Sequence, residues 1–81
     1  MKYSIYSYRD AKVGFGSPFV DQSDATAIRG FSYAMNDEHG IMSFCPSDFD
    51  LYLLGDFDTE SGVITPCGVP LMIVSGSSVM R

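Results

Sequence analysis

The sequence predicts a small α+β domain, in which one amphipathic helix covers a mostly antiparallel sheet and the elements run β-α-β-β-β. Three observations predict it. Residues 3–9, YSIYSYR, are rich in Tyr and Ile and alternate between faces with period two. Residues 25–35 space their apolar side chains three and four apart, which marks one face of a helix. From residue 50 onward, apolar runs punctuated by TESG and by Gly and Pro read as a hairpin and a further strand. A single helical period among strands gives α+β rather than a parallel α/β sheet.

In the first strand one face carries Tyr3, Ile5, Ser7 and Arg9, and the other Lys2, Ser4, Tyr6 and Tyr8. Neither face is cleanly apolar, so alternation does not select the buried one. Residues 13–20, VGFGSPFV, hold two glycines and a proline and predict a structured loop. Ser23 or Asp21 can cap the helix, and Asp24 sits favourably in its first turn. Ala27, Ile28, Phe31, Ala34 and Met35 form its apolar stripe, with Arg29 and Ser32 pointing away. Gly30 costs the helix roughly 1 kcal/mol relative to Ala and suggests close packing on a neighbour. NDEHG, residues 36–40, ends the helix, with Gly40 suited to a left-handed turn.

Pro46 to Phe49 predicts one tight turn. DLYLLGDFD is then a strand, TESG a turn, VITP the returning strand and VPLMIVSG the last strand. Period two puts Leu51, Leu53, Gly55 and Phe57 on one face, and Tyr52, Leu54, Asp56 and Asp58 on the other.

Eighty-one residues make a single domain, 1–81, near the small end of what folds without staples. A composition 46% hydrophobic and 14% aromatic is that of a globular chain. Chains of this size often gain stability by pairing, so a homo-oligomer is one expectation of size alone. The N-terminus lacks the apolar core of a signal segment, and no run reaches the roughly 18 apolar residues of a membrane span. A soluble, intracellular protein is expected, with no membrane partner. Cys45 and Cys67 have no CxxC spacing and only His39 as a companion, too few for zinc, and are expected as small buried hydrophobes.

The net charge of −5 is unevenly spread. Residues 1–35 hold four cations against three acids, whereas residues 36–80 hold seven acids and no Lys or Arg. Phosphate contacts, which depend on clustered Lys and Arg, would have to use the first half. An acidic chain of this kind is a poor nonspecific coat for DNA.

Asp56, Asp58 and Glu60 match positions one, three and five of a calcium loop. Position six is Ser61 instead of Gly and position twelve is Cys67, so the match fails where geometry matters most. Alternating acids on an exposed hairpin explain the pattern better, and no metal site is expected. Asp56 and Asp58 lack the burial that would raise a catalytic pKa, and His39 lies in a polar segment. No GxSxG, HExxH or phosphate loop occurs, and GFG at 14–16 is too short for a dinucleotide fingerprint. Neither an enzyme nor a cofactor is expected.

One aromatic-basic set remains: Tyr6, Tyr8, Arg9, Lys12 and Phe15, with Arg29 on the helix. Single-strand binders combine stacking rings with cations that follow the backbone, each stacked base adding about 1–3 kcal/mol. The plainer alternative has the rings packing a small core while Arg9 neutralises Asp10.

Longer stretches carry a family resemblance. YSIYSYRDAKVGFGSPFVDQSDATAIRGFSYAMN, followed by PSDFDLYLLGDFDTESGVI, resembles the small nonstructural protein of gokushoviruses, single-stranded DNA phages of the family Microviridae. The shared features are the Y-x-x-R-D strand end, V-G-F before a Pro-containing loop, A-x-R-x-F in the helix and D-[FY]-D-L-Y-x-[LV]-G-x-F-D-x-x-[ST]-G. SGSSVMR, at the C-terminal end, fits less well. The resemblance implies a protein of the bacterial host cytoplasm that acts late in phage DNA metabolism. It would engage phage or host replication proteins and the procapsid, favouring single-strand synthesis coupled to packaging. Two modes of action follow: an adaptor docking through Asp56, Asp58 and Glu60 or the exposed helix face, and a single-stranded DNA-binding module built on the aromatic-basic set.

Overall fold

The computed structural model describes all 81 residues. It confirms the α+β class: a curled antiparallel sheet with one main helix across it. The strands are β1 (Lys2–Asp10), β2 (Gly14–Phe15), β3 (Phe19–Asp21), β4 (Phe49–Asp58) and β5 (Ile64–Ser75). Helix α1 spans Asp24–Met35 and the one-turn helix α2 spans Ile41–Phe44, with 3-10 turns at Pro46–Asp48 and Ser77–Val79. The sheet order is β2-β1-β4-β5, and β3 also pairs with β1.

Two details are finer than the sequence showed. The 13–20 segment folds back on β1 as β2 and β3, with Gly14 at φ 114° turning the chain beside Asp10. VITP and VPLMIVSG are one continuous strand, β5, because both halves pair with β4. The register jumps from Leu53↔Leu71 to Gly55↔Pro66, so residues 67–70 bulge out opposite Leu54. Gly68, at φ 84°, takes the bend.

Helix α1 starts where its cap dictates. Ser23 Oγ accepts from the Thr26 backbone N–H, and Thr26 Oγ1 accepts from the Ser23 backbone N–H, a reciprocal capping box. Ala27, Phe31 and Met35 are buried on the stripe, with Ile28 packed beside them. They meet Tyr6 and Leu51 from the sheet, and these five form the core. Gly30 is exposed, and a Cβ built there meets nothing within 4 Å, so the close packing expected of it does not occur. Gly40 has φ −92° and precedes α2 rather than adopting a left-handed turn. The helix ends instead at Asn36, whose Nδ2 donates to Ser32 O (2.8 Å) and Val79 O (2.9 Å). Its Oδ1 accepts from the Arg81 N–H, and Val79 and Met80 pack on the core, so SGSSVMR is an integral part of the fold.

The pairing also decides which strand faces are which. Tyr6 is opposite Leu53 and Tyr8 opposite Leu51, so the Tyr6/Tyr8 face of β1 looks toward α1. Between these pairs and Ile5↔Gly55, β4 contributes one extra residue, Leu54. That bulge reverses the alternation, so Gly55 and Phe57 share a face with Tyr52, while Asp56 and Asp58 follow Leu53. Gly55 is required at the crossing: a Cβ there would meet Thr65 O and come within 2.9 Å of Pro66 Cα.

Candidate functional site

The aromatic-basic residues do not converge. Tyr6 has no exposed surface, and its hydroxyl donates to Asp24 Oδ1 at 2.5 Å. Burial, and then the hydrogen bond to that carboxylate, push its pKa up to about 12. Tyr8 is partly buried between Phe19 (5.3 Å, edge-on) and Phe31 (5.1 Å), and burial raises its pKa as well. Both rings therefore belong to the core, and neither presents a face on which a base could stack.

Arg9 and Phe15 remain together on the opposite face of the sheet. They are cross-strand partners on β1 and β2, and the guanidinium carbon lies 5.9 Å from the ring centroid, within cation–π range. Phe15 is 45% exposed and meets Tyr52 edge-on at 5.2 Å. Tyr52 is the member that sequence reasoning placed with the acids. The signal that finds it is the register Ser7↔Tyr52, which is absent from either strand alone. Asp50 is the residue opposite Arg9 on β4, so a carboxylate and a guanidinium share this corner.

Lys12 sits in the exposed turn after β1, where its backbone N–H donates to Asp10 Oδ1. It borders a shallow cleft with Asp10, Asp48, Ile41, Cys45 and Phe49, an acidic setting for a cation. Arg29 lies elsewhere again, on the exposed side of α1. There an open groove of about 710 Å³ is lined by Tyr3, Val20, Asp21, Arg29, Gly30 and Tyr33 among others. The open space beside Gly30 forms part of this groove, and Tyr33, 78% exposed, stands at it. The three cations thus occupy three separate surfaces.

The acids hold together better. Asp56 and Asp58 lie on β4, and Glu60 in the turn that joins it to β5. The turn is built by Gly62 N–H donating to Asp58 O (2.8 Å), with Gly62 at φ 77°. Asp58 Oδ1 accepts from the Glu60 N–H (3.0 Å), and this bond is the main reason its pKa lies below the usual carboxylate range. The N-terminal ammonium lies 3.9 Å from Asp58 and 3.6 Å from Glu60, and Thr59 binds Met1 O through both its N–H and its hydroxyl. No three His, Cys, Asp or Glu side chains are close enough together to hold a metal ion.

The cysteines depart from expectation: Cys45 is half-buried, and Cys67, in the β5 bulge, is exposed. A burial reading based on composition does not foresee the bulge that carries Cys67 outward. No helix is long and apolar enough to cross a membrane.

No curated protein and no solved structure matches the chain. A family model described as Phage ORF5 protein matches residues 3–79. That span runs from β1 to the last 3-10 turn, including most of the C-terminal segment in which the gokushovirus resemblance is weakest. The chain therefore belongs to the Phage ORF5 protein family.

Proposed function

We propose that this phage protein is a non-enzymatic nonstructural protein of the gokushovirus kind, working in the cytoplasm of the bacterial host. It acts at the switch to viral single-strand synthesis and couples that synthesis to packaging. Its mode of action is that of an adaptor: the tip carrying Asp56, Asp58 and Glu60 docks on a basic site of a replication protein or the procapsid. The observation that supports this reading is the division of charge and rings. The rings and cations needed for a stacking groove are split between the core, a turn and the far side of the helix. The acids stand together at the β4–β5 turn, where the N-terminal ammonium, and no Lys or Arg side chain, lies within ion-pair distance.

The test is a phage carrying Asp56→Asn, Asp58→Asn and Glu60→Gln together. With the variant protein present at normal levels, duplex phage DNA should accumulate as usual while encapsidated single strands fall. Unchanged yields of both forms would reject the acidic tip as the docking element.

A second reading, direct single-stranded DNA binding, is favoured by one feature. Arg9, Phe15 and Tyr52 form a compact ring-and-cation corner open to solvent. In this reading, Arg9→Ala with Phe15→Ala removes oligonucleotide binding.

A further inference from the structure

The register places a continuous apolar surface on the side of the sheet away from α1. Partners directly opposite each other share a face. Tyr3, Phe57 and Ile64 therefore form one row across three strands; Ile5, Gly55 and Pro66 a second; Ser7, Tyr52 and Met72 a third. Val20 extends the second row on β3. Lys2, Asp56 and Asp58 fall on the other side, so the charges near this face lie at two margins: the corner where Arg9 is opposite Asp50, and the edge where Tyr3 and Val20 border the groove that holds Asp21 and Arg29. None of the apolar side chains in these rows belongs to the core cluster or packs against it, although Ser7 and Gly55 between them are buried. Ile64 is 62% exposed and Met72 50%.

The dimensions indicate what is missing. The chain exposes 5243 Å², whereas a compact monomer of its mass exposes roughly 4,800 Å². Its radius of gyration is 12.9 Å, against about 11.7 Å for a compact chain of this length. A standard interface hides about 800 Å² per partner, enough to absorb the excess. A neutral apolar surface suits another neutral apolar surface and offers little to a polyanion. The edge of β5 is an unsuitable route to pairing, because Pro66 and Pro70 remove two N–H donors from it. Contact through the face itself remains.

We propose that this face joins two copies of the chain about a two-fold axis, the rows of one protomer packing across those of its partner. A self-complementary patch of this kind closes at two and leaves no free copy of itself. The acidic tips, on the reverse side of the hairpin, stay uncovered, so the dimer presents two of them.

Sedimentation equilibrium of the purified full chain over a wide concentration range tests this without phage, DNA or any partner. It therefore fails or succeeds independently of the proposed role. The wild type should sediment at twice the chain mass. Ile64→Asp and Met72→Asp should each give the monomer mass with an unchanged circular-dichroism spectrum. Ile41→Asp, altering a still more exposed apolar residue on α2, should remain dimeric. Three outcomes would overturn the proposal: a wild type that is monomeric throughout, a dimer that survives both face substitutions, or one lost only with Ile41→Asp. A monomer whose Ile64→Asp form loses oligonucleotide binding would assign the face to nucleic acid.

Discussion

The two ends of the β4–β5 ribbon are made of similar residues and live in different surroundings. At one end Leu51 is buried, and Leu53, Ile73 and Val74 pack against Phe31, Met35 and their neighbours. Further along, Val69 and Leu71 are more than half exposed, while Ile64 and Met72 are exposed on the face turned away from α1. Local β propensity does not separate them. Length does: twelve helical residues span about 18 Å, whereas the twelve residues of β5 reach about 40 Å, so α1 can roof only part of the ribbon. Strand formation depends on pairing, and burial depends on what lies above.

That contrast predicts unequal costs for similar substitutions. The largest effect is Phe31→Ala, expected to remove about 3–5 kcal/mol from the stability measured by urea unfolding. Leu71→Ala, on the helix side of the ribbon but beyond the helix, should stay within about 0.5 kcal/mol. Comparable losses for the two would erase the distinction between roofed and unroofed ends.

The junction between the ends comes next. Gly55→Ala forces a Cβ onto the Thr65 carbonyl and should cost roughly 1–3 kcal/mol, with amide exchange accelerated on both sides of the Leu54 bulge. Exchange rates left at wild-type values would mean that the ribbon absorbs the methyl group.

Within the roofed end, Tyr6→Phe should cost about 1 kcal/mol through the lost bond to Asp24. It should also change the alkaline arm of stability. Tyrosine ionises near 10 when unfolded, and near 12 for Tyr6 in the fold, so its contribution is complete below pH ~10 and fades as pH rises toward 12. Tyr8 acts in the same direction. A Tyr6→Phe melt series should therefore decline less steeply above pH 10; identical slopes would show that Tyr6 is free to ionise.

The smallest effect lies at the exposed tip. Asp58 is held below its usual pKa, so its contribution is present above pH ~4 and is lost as pH falls through the folded value. Asp58→Asn should flatten this shallow acid arm and leave the alkaline arm unchanged.

The sequence made the roofed end legible and left the unroofed one obscure, for physical reasons. Helix period and the Ser23 cap are local signals, and they located α1 and its stripe. The hairpin acids were legible too, since TESG marks their turn. The face reversal at Leu54 was hidden, because a bulge is a property of two paired strands and neither sequence announces it. The same bulge put Phe57 on the face of Tyr52 instead of that of Leu51 and Leu53, and separated Tyr52 from Asp56 and Asp58. Tyr6 and Tyr8 looked like stacking rings because alternation cannot say which face a helix will cover. Asn36 gave no sign of its bond to Val79, which lies 43 residues away.

The most direct test of action through protein contacts is fluorescence anisotropy of labelled single-stranded and duplex oligonucleotides, titrated with the protein at two salt concentrations. Flat traces at low salt are the predicted result, because Arg9, Lys12 and Arg29 occupy separate surfaces of an acidic chain. Binding that prefers single strands and weakens with salt would contradict the account and return the Arg9–Phe15–Tyr52 corner to the centre of the function.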